Sequence, residues 1–425
     1  MQPDRRGTDP LSVTRDAVIN FSNRVVYMCA HIISMTTSSG DCEKPIQGDT
    51  DHKDIEADYV EADEDEIATL GRALIDAILE YAPMEDVQGL LDKDAPLWYQ
   101  DEDGWSALHA AASVEDADLV RKLLQRGALW NSADNAGNTA GDIALSLNDG
   151  ESYLAIRDAG IRSEIILQLL ASRDAEPHGL VLKEEDDTAL GSTDNFLSSH
   201  LRYTIDAHGQ DICLLQVGDA EIGVMMGWES GIMQETVRKM CEDHPSAEAG
   251  LRVLNVGFGL GIIDSYFQAL PVPPSTHVII EPHPDVLKYM REQGWYDKKG
   301  VVILEGKWQD IVGTQKLEDM VFDVVYTDTF SEEYEDLRLF FGHVPNLLAG
   351  PDARFSFFNG LGAINALFYD VYTHLAELHL AELGIDVDWE DVDVAVQEVA
   401  KWNNTREYFT MRLYRLPVGR IRNTM

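Results

Sequence analysis

The chain has 425 residues, of which 45% are hydrophobic, so it can bury a full core, and its length suggests two or three domains. Its 75 acidic residues outnumber 33 basic ones and give a formal net charge of −42. Such an excess of carboxylates argues against direct nucleic-acid binding, and it favours either a basic partner or a solubilising role. The four cysteines form no CxxC pair, and no apolar stretch near the N-terminus is long enough to span a bilayer. We therefore expect a reducing compartment, the cytoplasm and nucleus, and no membrane partner.

The first 65 residues are predicted to form a disordered acidic segment. Residues 36–65 are polar and end in a stretch rich in carboxylates that includes Asp58, Glu61 and Asp63. Like-charge repulsion and a shortage of apolar side chains disfavour packing in such a segment.

Residues 66–170 carry a helical internal repeat. From Glu66 onward, apolar residues recur at every third or fourth position, which is typical of amphipathic helices. Gly104 and Gly137 are 33 positions apart, and so are Gly127 and Gly160. A period of this length is that of ankyrin repeats, so we predict an ankyrin-like module here.

The run Asp103–Ala111 resembles the ankyrin signature at its turn and first helix. The second copy has Gly141-Asp142 where the signature has Leu-His, so we interpret it as a degenerate or capping repeat. An unrelated pair of helical hairpins is the alternative. Residues 171–198 are rich in turn formers and charge, which indicates a linker.

Residues 199–425 form the next predicted domain, in which strands and helices alternate. Helical spacing is found at Asp285–Gln293 and Leu337–Leu348. This order predicts an α/β fold with a mostly parallel sheet, helices on both faces and ligands at the carboxyl ends of the strands. The last two strands have no helix between them, so we expect an antiparallel edge. The predicted strands are Val253–Val256, His277–Glu281, Val301–Leu304, Phe322–Asp328, Arg354–Phe358, Val387–Val396 and Tyr408–Leu416.

A glycine-rich turn follows the first of these strands. Gly257, Gly259 and Gly261 let the backbone approach a ligand closely, and the next helix offers amide donors at its N-terminus. The turn does not match the dinucleotide pattern GxGxxG. The sequence runs GxGxG, and the sixth position, where the pattern has glycine, is Ile262. This favours S-adenosylmethionine over a nicotinamide cofactor.

Two further strand ends carry groups suited to a nucleoside. Glu281 ends the second strand, where a carboxylate can accept both ribose hydroxyls. Trp308 and Gln309 follow the third strand and could sandwich and bind adenine. Taken singly, Glu281 could be a solvated strand end and Trp308 a core aromatic. Together with the glycine turn, they predict a nucleoside cofactor.

These motifs, with two others, resemble those of guanidinoacetate methyltransferase. The matching segments are Met226–Met233, the turn at Gly257, Ile280–His283, Trp308–Asp310 and Asp328–Phe330. With the ankyrin-like front end, residues 66–425 resemble the fungal and plant type of protein-arginine N5-methyltransferase. The resemblance implies a Rossmann-like class I methyltransferase fold preceded by an α-helical ankyrin module. It also implies methyl transfer from S-adenosyl-L-methionine to the internal δ (N5) nitrogen of arginine in a protein, a ribosomal protein in this family.

The resemblance assigns the guanidinium to Glu229 and Asp328, and a pair of carboxylates can grip that cation through charge-assisted hydrogen bonds. Asp328 would accept the proton that the attacking nitrogen loses. Taken singly, Glu229 could be an ordinary helix-start carboxylate and Asp328 a turn cap. We expect no metal site. The cofactor contacts it implies are Tyr203, Met233, Phe258, Gly259, Leu260, Gly261, Ile262, Ile263, Glu281, Pro282, His283, Trp308, Gln309 and Asp328.

Two other functions stay open at this point. A small-molecule guanidino methyltransferase would share the core, but a metabolite needs no protein-docking repeats. An inactive scaffold would keep the repeats for binding alone. The intact glycine turn and the acidic residues Glu281, Glu229 and Asp328 weigh against a scaffold.

Overall fold

The computed structural model describes residues 64–173, 193–205, 209–217, 220–317, 320–330, 334–394 and 408–422. The chain divides into two compact units, Met1–Gly179 and Leu180–Met425. The predicted acidic segment falls almost entirely outside the described residues, as does most of the predicted linker.

The first unit is helical over its described residues. Helices α3 and α4 form one pair and α5 and α6 the next, and α6 is the longest at 24 residues. In the part of the chain that is described, no helix is both long and apolar enough to cross a bilayer. The helices are α1 (Glu64–Leu79), α2 (Met84–Leu91), α3 (Ala107–Ser113), α4 (Ala117–Gln125), α5 (Ala140–Ser146) and α6 (Gly150–Arg173).

Both repeats start their first helix with the same kind of cap. In α3, the Ser106 N–H donates to Nδ1 of His109 at 3.1 Å, and the His109 N–H donates back to the serine hydroxyl. In α5, the Thr139 N–H donates to the Asp142 carboxylate at 2.8 Å, and the Asp142 N–H donates to the threonine hydroxyl. Asp142 thus replaces the signature histidine without loss of the reciprocal cap. This explains how the second copy can depart from the signature and still fold.

The second unit opens with an antiparallel sheet of three strands. Its order is β1-β2-β3, and β2 contributes the buried side chains Cys213 and Leu215. The predicted strands begin at Val253, so this sheet is not among them. The elements are α7 (Thr193–Ser198, inside the predicted linker), β1 (Leu201–Ile205), β2 (Asp211–Val217), β3 (Ala220–Met226) and α8 (Ser230–Cys241).

A seven-stranded sheet of order β6-β5-β4-β7-β8-β10-β9 forms the centre of this unit. Strands β4 to β8 are parallel, and β10 runs antiparallel to both β8 and β9. The predicted fold class, with its antiparallel edge, is confirmed. The elements are β4 (Arg252–Val256), α9 (Ile262–Gln268), β5 (Thr276–Glu281), α10 (Pro284–Glu292), β6 (Val301–Glu305), β7 (Val324–Thr327), α11 (Tyr334–Phe341), α12 (Val344–Leu347), β8 (Arg354–Phe357), α13 (Ala366–Glu382), β9 (Ile385–Asp393) and β10 (Leu413–Ile421).

Two predicted elements differ from those observed. The helix predicted over Leu337–Leu348 is divided into α11 and α12, because Pro345 lacks an N–H and its ring would clash with the preceding turn of a continuous helix. The last strand is Leu413–Ile421 and not Tyr408–Leu416. Pro417 argues against a central strand, but here it pairs in register with Trp389 of the edge strand.

A buried polar cluster fixes helix α9 against the sheet. Asp264, in the first turn of α9, is fully buried and accepts hydrogen bonds from the Asn255 amide at 3.0 and 2.9 Å. Its carboxylate also lies 2.9 Å from Nε2 of His277, which is equally buried. Because Asn255 is on β4 and His277 on β5, this cluster ties the start of α9 to two adjacent strands.

The turns that leave β4 and β7 are in direct main-chain contact. The Asp328 N–H donates to the carbonyl of Val256 at 2.9 Å. Gly257 has a φ of +90°, and a Cβ atom at this position would lie 1.9 Å from the carbonyl oxygen of Asp328. Only glycine allows the two strand ends to come this close.

We predict that Gly257→Ala severely destabilises the second unit. Gly294 is the matched control, since its φ is +71° and a Cβ there meets nothing within 4 Å. Gly294→Ala should cost about 1–2 kcal/mol from left-handed strain alone. Gly257→Ala should cost a further ~1–3 kcal/mol or more, because the added methyl overpacks the contact with Asp328. Urea unfolding of both variants measures the difference, and equal losses would contradict the predicted clash.

Candidate active site

The glycine turn after β4 forms one wall of the candidate site. Gly257, Gly259 and Gly261 all have positive φ angles, of +90°, +56° and +69°. Gly261 is the N-cap of α9, so Ile262 and Ile263 lie in the first helical turn. The turn therefore presents backbone and the positive end of a helix dipole at the carboxyl edge of the sheet.

Glu281, at the end of β5, is bound to this turn. One carboxylate oxygen accepts the Phe258 N–H at 2.9 Å and the other accepts the His283 N–H at 2.7 Å. The side chain is only 4% exposed. Burial raises the pKa of Glu281 to about 7, although these backbone donors oppose that rise. A carboxylate in this position can accept hydroxyl groups from a nucleoside at the mouth of the turn.

Helix α7 covers part of the same edge. Its Phe196 packs against the rings of His283 and Phe330, with centroids 4.8 and 4.9 Å away. The Phe196 carbonyl lies 3.0 Å from Nε2 of His283, and Asp194 pairs with Lys307 at 2.5 Å. Turn formers and charge predict a linker over residues 171–198, so the sequence does not reveal Phe196 as a neighbour of the site.

Tyr203 and Met233 both belong to the packing around the glycine turn, in the cluster that contains Leu260 and Ile263. The Tyr203 hydroxyl is 3.5 Å from the carbonyl of Gly259, and its ring stacks on Tyr289 with centroids 4.2 Å apart. Met233 is fully buried in α8, and its sulfur accepts the Tyr326 hydroxyl at 3.3 Å. Both predicted cofactor contacts are thus close to the turn, and their roles remain predictions.

Trp308 follows β6, in the short turn Trp308–Asp310. The indole is 4% exposed and packs edge-on against Phe340 and His343, with centroids 5.2 and 6.0 Å away. It lies largely within the core, whereas Gln309 beside it is exposed. Its role as a platform for adenine therefore also remains a prediction.

The two predicted guanidinium ligands come from distant parts of the chain. Glu229 closes the short helical turn Gly227–Glu229, is 3% exposed, and accepts the Met226 N–H at 2.9 Å. Asp328 directly follows β7 and is half-buried. Burial raises the pKa of Asp328 to about 7.

A half-buried tyrosine is hydrogen-bonded to one of these carboxylates and senses the charge of the other. The Tyr408 hydroxyl donates to Oε1 of Glu229. Burial raises the pKa of Tyr408 well above its usual value, and Glu229 and then Asp328 add to this effect. The pKa of Tyr326 is likewise raised well above its usual value, by burial first and also by Asp328 and Glu229. Both carboxylates therefore raise the pKa of the same two tyrosines, and the main chain of Asp328 contacts the glycine turn.

These residues fit an adenosyl cofactor and a cationic substrate. The buried Glu281 carboxylate can accept hydroxyl groups of a nucleoside, and the glycine turn beside it offers backbone N–H groups at the start of a helix. Glu229 and Asp328 offer two acidic groups to a planar cation at the neighbouring strand end.

Comparison with known proteins agrees with this geometry. The family model of guanidinoacetate N-methyltransferase matches residues 210–354, and that of the ankyrin repeat matches 103–135. A protein arginine N-methyltransferase 2 from Cryptococcus neoformans is 40% identical over 84% of this chain and 96% of its own length. The chain belongs to the protein arginine N-methyltransferase 2 family. A second member, from Emericella nidulans, is 37% identical over 73% of this chain and 79% of its own.

Membership of the protein arginine N-methyltransferase 2 family makes the chain a methyltransferase, and family and fold imply S-adenosylmethionine as its cofactor. The ankyrin match implies contact with a protein. A solved structure titled a putative methyltransferase from Thermoplasma acidophilum is 15% identical with a TM-score of 0.30, over 41% of this chain and 70% of that one. This similarity is too low to support a conclusion about the fold or the function of this chain.

We predict that affinity for S-adenosylmethionine falls on acidification below about pH 7. Because the pKa of Glu281 is raised to about 7, the carboxyl is mostly protonated below that pH and loses acceptor capacity. The Kd should rise up to about tenfold per pH unit in the acid limb. Calorimetric titration between pH 5.5 and 8.5 measures this.

Glu281→Gln should bind S-adenosylmethionine more weakly and with little pH dependence. The glutamine amide does not titrate, and its NH2 group would face one of the two backbone N–H groups that the carboxylate now accepts. Glu305→Gln is the matched control, since Glu305 pairs in register with Glu281 on β6 but is exposed. A pH-independent Kd in the wild-type protein would remove Glu281 from the binding site.

Proposed function

We propose that this protein transfers the methyl group of S-adenosyl-L-methionine to the δ (N5) nitrogen of an arginine in a protein substrate, a ribosomal protein, in the cytoplasm and nucleus. The observation that carries the proposal is a pair of carboxylates at the carboxyl edge of the sheet: Glu229, buried and hydrogen-bonded by Tyr408, and Asp328, whose main chain contacts the glycine turn. The names of the relatives, protein arginine N-methyltransferase 2, support arginine as the acceptor.

The chemistry of the guanidinium explains why two carboxylates are needed. Its pKa is above about 12, and its lone pairs are delocalised, so each nitrogen is a weak nucleophile. When bound, S-adenosylmethionine supplies an electrophilic methyl group. Glu229 and Asp328 hold the cation through charge-assisted hydrogen bonds and direct one nitrogen toward that methyl group. Such positioning contributes several kcal/mol, on the order of 7–11 in ideal cases.

Asp328 is the better suited of the two to accept the proton. Its pKa of about 7 is close to working pH, where a general base combines sufficient ionisation with sufficient basicity. Glu229 is held by the Met226 N–H and the Tyr408 hydroxyl. In this assignment Glu229 binds the cation, while Asp328 both binds it and takes the proton from the methylated nitrogen.

A basic protein is the substrate class that the rest of the chain favours. The net charge of −42 attracts cationic partners at long range. Ankyrin repeats are stacked helices that commonly present a binding surface to another protein. Both features fit an arginine-rich target such as a ribosomal protein.

A small guanidino compound is the second candidate substrate. The guanidinoacetate N-methyltransferase model matches residues 210–354, which contain both carboxylates and the glycine turn. The ankyrin repeats weigh against it, because they add a protein-binding surface that a metabolite does not need.

One experiment separates these substrates. The full chain is incubated with isotope-labelled S-adenosylmethionine and either a basic ribosomal protein fraction or guanidinoacetate. Mass-spectrometric fragmentation then distinguishes δ from terminal methylation of arginine. Label on the δ nitrogen supports the proposal, label on a terminal nitrogen contradicts the N5 position, and label on guanidinoacetate alone supports the second candidate.

We predict that Asp328→Asn lowers kcat by about 10²- to 10⁴-fold, the usual contribution of a general base. In the wild-type enzyme, with S-adenosylmethionine saturating at each pH, kcat/KM for the arginine substrate should rise about tenfold per pH unit up to about pH 7 and then level, because Asp328 must be ionised to act. Asp328→Asn should lose this acid limb. The exposed Asp297→Asn is the control and should keep both rate and profile. Near-normal activity of Asp328→Asn would exclude Asp328 as the base.

A further inference from the structure

We propose that Tyr408 is a positioning residue for methyl transfer: its hydroxyl holds the Glu229 carboxylate in the orientation that grips the substrate guanidinium. The inference rests on the proposed function and adds to it a residue from the C-terminal part of the chain. Tyr408 is outside every motif that the sequence analysis assigns to the site.

The segment that carries Tyr408 is firmly anchored. The next residue, Phe409, is fully buried, and its ring lies 5.8 Å from that of Trp228 and 5.9 Å from that of Tyr414. The Thr410 N–H donates to the carbonyl of Ala363 at 2.8 Å. Tyr408 itself packs 5.8 Å from the Trp228 ring, directly beside Glu229. The position of the Tyr408 hydroxyl is therefore fixed by the contact of its ring with Trp228 and by the anchored residues Phe409 and Thr410.

Two donors meet at one oxygen of Glu229. The Met226 N–H donates to Oε1 at 2.9 Å, and the Tyr408 hydroxyl donates to the same atom. A glutamate side chain has three rotatable bonds, so a single backbone donor leaves the plane of the carboxylate free to turn. The second donor comes from a different segment and stops that rotation. The direction of the other oxygen, Oε2, is thereby set as well.

Tyr408 acts as a donor and not as a base. Burial, Glu229 and Asp328 together keep its pKa well above the usual range, so the phenol stays protonated at working pH. A protonated phenol beside a carboxylate donates its hydrogen bond to the carboxylate oxygen, as the Tyr408 hydroxyl does to Oε1 of Glu229. The proton released by the substrate then has Asp328 as its acceptor.

Tyr408→Phe tests this role because it removes the hydroxyl and keeps the ring. A hydrogen bond to a charged group contributes enough that kcat should fall about 10- to 100-fold. The Kd for S-adenosylmethionine should stay within about twofold, since the Tyr408 hydroxyl donates to Glu229, the proposed ligand of the guanidinium. Tyr296→Phe is the matched control: it removes a phenol that donates to Glu305 at 2.7 Å, an exposed pair, and should leave kcat unchanged.

Glu229→Asp provides a second test in which Tyr408 is intact. Shortening the side chain withdraws the carboxylate from the hydroxyl, so kcat should fall while cofactor affinity persists. In the double variant Tyr408→Phe/Glu229→Asp, the loss should be no greater than in Glu229→Asp alone, because the hydroxyl acts through the carboxylate. Losses that multiply would overturn the inference. If Tyr408→Phe proves too unstable to assay, an unchanged kcat in Glu229→Asp, where the tyrosine ring is kept, would overturn it instead.

The outcomes distinguish this inference from the proposed function. If the wild-type chain methylates arginine and Tyr408→Phe does so at the same rate, the inference is wrong and the proposed function stands. If the wild-type chain methylates no arginine in a basic protein fraction, both are wrong. A loss of S-adenosylmethionine affinity in Tyr408→Phe equal to its loss of kcat would make Tyr408 a structural residue and not a positioning one.

Discussion

The contact between Gly257 and the main chain of Asp328 is the constraint on which the rest of the site depends. It joins the ends of β4 and β7, two adjacent strands, with no side chain between them. The first strand end carries the cofactor turn and the second carries the proposed base. The distance between a bound cofactor and a bound guanidinium is therefore set by the packing of the backbone, which moves less than any side chain. This is what in-line methyl transfer requires.

The same arrangement burdens the folded state with buried charge. Burial raises the pKa of both Glu281 and Asp328 to about 7, above the ordinary values of carboxyl groups in an unfolded chain. A group whose pKa rises on folding binds more protons in the native state, so its ionisation weakens the fold as pH rises toward 7. The apolar packing around them must offset this loss. The site is thus stable enough to fold and retains charges that a more stable protein would exclude.

The sequence predicts the parallel strands on which the site is built. β4, β5 and β6 appear as short runs rich in β-branched residues, and each has its functional residue at its carboxyl end or within three residues of it. The sheet β1–β3 escaped prediction because its runs precede the motif region and have no strand-helix alternation around them. Its signal was a pair of apolar runs separated by Gly218-Asp219, a common hairpin-turn sequence. Pro417 hid the true extent of β10, since the register that makes proline acceptable there is a property of the assembled sheet.

The residues that sequence reasoning missed share one physical feature: they reach the site from outside the strand-turn-helix units. Phe196 meets His283 across 87 positions, and Tyr408 meets Glu229 across 179. No local pattern encodes such a meeting, because it depends on how flanking segments close over the carboxyl edge of the sheet. Residues at strand ends follow from topology, so their chemistry can be anticipated for any fold of this class. Residues from the flanks are set by this chain's own packing, and in the proposed mechanism one of them, Tyr408, orients the carboxylate that binds the guanidinium.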